Sequence, residues 1–191
     1  MYYFHSYFII GYVKVFSHNS AKGVFSNAAD VLSKNPDNPN ADLYSILAGL
    51  EDFRDANGKF QFKLCYPELA PVGAKGNCNE WIQTSNPAIE SIITGFEAIS
   101  LAFVKDSYDK PWRGLGRNLA QIDSSTLIDD SPSEGNWYSA IGAFKTNQAQ
   151  EIAGPRPKFV SKVELFVKGK PPSLLNTVSK SPEDAKSIFI L

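Results

Sequence analysis

The sequence predicts a mainly β fold: an antiparallel β-sandwich of jelly-roll type behind one N-terminal amphipathic helix. Three features carry that expectation. From Phe60 onward, apolar side chains recur at every second residue, the pattern of strands with one buried and one wet face. Turn formers separate these runs at short intervals. Between them lies none of the long helical pattern that the crossovers of a parallel α/β fold require.

Residues 1–40 read as a lead-in. Met1 to Val13 is apolar but too short to span a bilayer, and it is signal-like, with Ala21 near a small-residue cleavage site but no basic start. The run Asn35-Pro-Asp-Asn-Pro-Asn breaks any helix before it and offers Asn40 as a cap for the next. Leu43, Ile46, Leu47, Leu50 and Phe53 then fall on one face of a helix, which the Asn57-Gly58 turn ends.

The module proper is expected over residues 41–167. In Phe60 to Tyr66 the residues Phe60, Phe62, Leu64 and Tyr66 share a face. Ile93 to Val104 groups Ile99, Leu101 and Phe103, and Phe159 to Val167 groups Phe159, Val163, Leu165 and Val167. Asn79–Thr84 and Trp137–Phe144 read as shorter strands. After Val167 the pattern is lost at Lys-Gly-Lys-Pro-Pro, so residues 168–191 read as linker and tail.

The composition excludes several function classes. At 191 residues there is room for one domain with a sizeable core. A net charge of −1, with no block of like charge, leaves nothing to neutralise a phosphate backbone, so no nucleic-acid partner is expected. The only histidines, His5 and His18, precede the expected core, which argues against a His-activated nucleophile and against zinc. Cys65 and Cys78 flank the Pro/Gly-rich loop Tyr66–Asn77. They read either as two buried thiols or as one disulfide, and the even count, one each side of a turn-rich segment, favours the disulfide and secretion.

Chemistry-bearing residues gather in three loops. Trp81 and Gln83 lie in Asn79 to Pro87, Trp112 and Arg113 in Pro111 to Asn118, and Asn136 and Trp137 in Asp129 to Tyr138. Indole faces stack on sugar C–H surfaces while amides and guanidinium groups bond paired hydroxyls, so these six are the candidate ligand-binding residues. The alternative is that the tryptophans anchor the core. Asp129, Asp130 and Glu134 supply hard oxygens in one loop, a weak Ca²⁺ signal set against an ordinary Asp/Ser turn; no other cofactor is expected.

These segments also carry a resemblance. GKFQFKLCYPEL, NEWIQTSNP, GFEAISLAF, WRGLGRN, LIDDSPSEGNWYSAIGAF and KVELFV, in that order, resemble an uncharacterised extracellular module of marine-invertebrate multidomain proteins. The resemblance covers about residues 42–167 and implies an extracellular setting with a recognition or adhesion role, but no catalytic residue. WRGLG, DDSP and NW are also similar to C-type lectin-like domains, which have C-terminal cysteines where this chain has none after Cys78.

The expectation is a non-enzymatic extracellular recognition or adhesion module whose partner is a glycan or an extracellular protein. The competing readings are a structural matrix or scaffold protein, a carrier of a small apolar ligand, and a carboxylate-based hydrolase. The last requires two acids facing each other across a cleft.

Overall fold

A computed structural model describes residues 11–119, 125–133, 138–146 and 150–169. Its frame is a six-stranded antiparallel sheet built from β1 (Tyr12–Asn19), β2 (Leu43–Ser45), β3 (Phe60–Cys65), β4 (Cys78–Gln83), β5 (Glu97–Leu101) and β11 (Lys162–Lys168). The spatial order is β2-β1-β11-β3-β4-β5, which brings the two ends of the described chain side by side. A three-stranded sheet holds β6 (Gly116–Arg117), β7 (Thr126–Asp129) and β8 (Ile141–Ala143), and β9 (Ile152–Ala153) pairs with β10 (Phe159–Val160). The chain is thus mainly β with antiparallel pairing.

Alternation decides which side of the large sheet is dry. Phe60, Phe62 and Leu64 of β3 point inward with Trp81 of β4 and Val163, Leu165 and Val167 of β11, all fully buried. Gln61, Lys63, Glu80, Ile82 and Glu164 point the other way. The inner face packs against Leu47, Leu50, Trp112, Leu115, Leu127, Ile141 and Ala143 in one continuous core. Short strands and turns therefore supply the covering layer. Phe159 departs from the expected Phe159–Val167 strand: it lies in β10, and the residue is 45% exposed.

Three further expectations are corrected. Part of the supposed lead-in is structural, because β1 pairs with both β11 and β2. Its register shifts between Lys14 and Phe16, and this bulge lets the consecutive Val15 and Phe16 both be buried. The expected amphipathic helix does not form. Leu43–Ser45 adds to the sheet edge instead, and Leu47–Phe53 is 3₁₀ with a non-helical Gly49. A 3₁₀ turn eclipses i and i+3, so it buries Leu47 and Leu50 as well as an α-helix would. The only described α-helix is α1, Ala28–Leu32, capped by the Asn27 side chain on Asp30 N–H. Lastly, His18 is in the core, not before it.

Candidate functional site

The sugar-site expectation rests on the tryptophans. Trp81 and Trp112 are 0% and 2% exposed and meet edge to face, ring centroids 5.3 Å apart. Trp81 Nε1 donates to Gln83 Oε1 at 2.7 Å, and Gln83 Nε2 donates to the carbonyls of Ser85 at 2.8 Å and Leu115 at 3.0 Å. Gln83 is a buried hub that ties β4 to the chain entering β6, leaving no hydrogen-bonding edge for a ligand. Neither indole face is open, so Trp81, Gln83 and Trp112 serve the core. Arg113 is exposed beside them. Asn136 and Trp137 lie outside the described residues.

The acids are buried as well. Asp129 ends β7 and is 0% exposed; it accepts from Asn118 Nδ2 at 2.8 Å and from the Ser131 N–H at 3.0 Å. Asp130 accepts from the Ser131 and Ser139 hydroxyls at 3.2 and 3.4 Å, with Ser107 also bonded to it. Burial pushes the Asp129 carboxyl up to about 8, helped by the neighbouring Asp130 charge. Burial likewise pushes Asp130 to about 6, against the serine hydroxyls that stabilise its charged form. Among the described residues no group of three acidic, histidine or cysteine side chains is placed to hold a metal ion. Adjacent on one strand end and locked into turns, Asp129 and Asp130 do not face each other across a cleft. The Ca²⁺ expectation thus finds no support at Asp129 and Asp130, and its third residue, Glu134, lies outside the described residues.

His18, in β1, is fully buried with its ring edge-on to Phe25. Its Nε2 contacts the Gly23 carbonyl at 2.9 Å, so that nitrogen carries the proton, and Nδ1 has no hydrogen-bond partner among the described residues. Burial pulls its pKa down to about 4 and holds it neutral. The expected disulfide is present: Cys65 and Cys78 are bonded as directly opposed residues of β3 and β4.

A surface groove remains, and sequence reasoning missed it. It has a volume of about 540 Å³ and runs along Phe53, Arg54, Lys59, Phe60, Gln61, Ile82 and Lys168. Its wall is set by the Arg54 guanidinium, 4.2 Å from the Phe60 ring centroid and bonded to Glu51 and the Gly58 carbonyl. Lys59 is paired with Glu97, whereas the Lys168 ammonium bonds only the neutral Gln61 Oε1 at 3.1 Å among the described residues. The groove joins residues from three separate segments, so no local motif marks it. Comparison with protein-family models, with curated proteins and with solved structures finds no match to this chain.

Proposed function

We infer that the protein is a non-enzymatic extracellular recognition module, built on a sandwich-like frame, that takes its ligand in the Phe53–Ile82–Lys168 groove. The observation that supports this most is the pairing of an apolar floor with one cation whose charge has no anionic partner among the described residues. That combination suits a small amphipathic acid: an apolar body against Phe53 and Ile82, and a carboxylate on Lys168. The disulfide is compatible with an oxidising, extracellular compartment. Among the described residues no helix is long and apolar enough to cross a membrane.

The test is a titration of the oxidised full chain with alkyl and aryl carboxylates, their neutral amides, and a glycan panel, read by amide chemical shifts. Carboxylates are expected to move Gln61, Ile82 and Lys168. Lys168→Gln should weaken binding about tenfold, the worth of one charge-assisted hydrogen bond, without changing the melting temperature. Equal binding of the neutral amides would refute the amphipathic-acid ligand. A glycan response abolished by Arg113→Ala would relocate recognition to the Arg113 loop.

A further inference from the structure

The groove cation is held from behind by residues that do not line the groove. Lys168 ends β11, and its ammonium donates to Gln61 Oε1 at 3.1 Å. The other end of the same amide is occupied too: Gln61 Nε2 donates to Tyr12 Oη at 2.7 Å and to Glu80 Oε1 at 2.8 Å. The Tyr12 hydroxyl in turn donates to Glu80 Oε1, closing a ring of three bonds. Tyr12 lies in β1 and Glu80 in β4, so the phenol reaches across β11 and β3 to make this contact. Its ring is nearly buried on the outer side of the sheet, packed with Phe166 and Cys65, and Lys63 Nζ lies 5.8 Å from its centroid.

A glutamine side chain carries two donors on one atom and an acceptor on the other, so its flanking groups set which way it points. Gln61 has a carboxylate at one end and an ammonium at the other. Turned over, it would set its oxygen against Glu80 and its NH₂ against Lys168, like against like at both ends. Both Nε2 protons are engaged, so Gln61 offers a ligand no donor, while the ammonium keeps two of its three. We propose that Tyr12 and Glu80 are positioning residues for the groove: through Gln61 they hold the Lys168 ammonium in place, and that hold makes the groove prefer a carboxylate to its neutral amide. The assignment rests on the groove taking an amphipathic acid. A lysine already held has less rotamer freedom to lose when a ligand arrives. A carboxylate gains from that through a charge-assisted hydrogen bond, whereas a neutral head group gains little.

Tyr12→Phe keeps the ring in its cluster and removes only the hydroxyl. In the unliganded full chain, hydrogen exchange of the Gln61 side-chain amide should then speed up about tenfold. Glu80→Gln, which removes the charge that orients the amide, should act likewise. The Asn79 side-chain amide, bonded to the Phe103 carbonyl at 2.8 Å, should not change in either variant. Binding is measured with octanoate and octanamide. Tyr12→Phe should weaken octanoate about threefold and leave octanamide unchanged, whereas general damage to the groove would weaken both. Gln61→Leu should lose at least as much of the carboxylate preference, and adding Tyr12→Phe to it should cost nothing more, because the hydroxyl acts only through the amide. Unchanged Gln61 exchange in Tyr12→Phe, an equal loss for both ligands, or a further loss in the double variant would each overturn the proposal. Wild-type protein that binds octanoate no better than octanamide would end the amphipathic-acid reading of the groove and the selectivity with it. The Gln61 exchange result separates that failure from a failure of the positioning.

Discussion

Gly142 sits in β8 at φ 72°, and a Cβ built there would lie 2.2 Å from Val31 Cγ1. Two separate penalties attach to any side chain: the left-handed backbone and the overlap with a fully buried valine on α1. Gly142→Ala should therefore destabilise the protein by about 3 kcal/mol, measured by urea unfolding. Adding Val31→Ala should return the overlap part and leave the backbone part. A Gly142→Ala protein as stable as wild type would show that β8 does not pack on α1 as described. At this scale sequence reading worked unevenly. The inward set Phe60, Phe62, Leu64 and Tyr66 was legible, because period-two alternation reports burial directly. The role of Gln83 was not: an amide beside an indole reads equally as sugar recognition or as a buried hydrogen-bond hub. Only the Leu115 carbonyl, brought from far along the chain, separates the two.

Among the elements, the β3–β4 hairpin carries the one described covalent cross-link. Cys65 and Cys78 close a loop with a sequence separation of 13, already held by Asn77 Nδ2 on the Tyr66 carbonyl at 2.9 Å. Loop-closure entropy for that length is worth about 3 kcal/mol. The double substitution Cys65→Ala and Cys78→Ala should lower stability by about that amount in thermal melts. A loss under about 1 kcal/mol would mean that the Asn77 bonds and the strand register already confine the loop in the unfolded chain. This hairpin was readable because alternation, turn residues and cysteine placement agreed. Leu43 to Phe53 was misread, since its apolar spacing fits an α-helix and a 3₁₀ turn alike. The choice was made by pairing: β1 bonds Leu43–Ser45 across Phe16, Ser17 and His18, a long-range contact that a local pattern cannot contain. The edge of β5, the last strand of the sheet among the described residues, shows a related device. Ile99 is 47% exposed there, and the irregular register between Glu80 and Trp81 distorts the strand, which discourages pairing with another chain.

For the molecule as a whole, buried titratable groups set how stability follows pH. The Asp129 and Asp130 carboxyls sit above their ordinary range, at about 8 and about 6. Their contribution is complete below about pH 4 and is lost as pH rises through those values. The His18 imidazole is lowered to about 4, so its contribution is complete above about pH 6.5 and is lost as pH falls through 4. The surface carboxylates Asp30 (half-buried) and Glu51 (exposed), held below the usual carboxylate range by hydrogen bonds from Lys34 and Arg54, act in the same direction as His18 at still lower pH. Between about pH 4 and 6.5 two acids work against one imidazole, and above that range the acids act unopposed. Stability should therefore peak between about pH 4 and 5 and decline steadily to pH 8. Urea midpoints measured from pH 3 to 9 test the profile. A maximum at or above pH 7 would mean that Asp129 and Asp130 are hydrated in solution, and that the packing of the β7–β8 hairpin against the 105–111 turn is looser than described here.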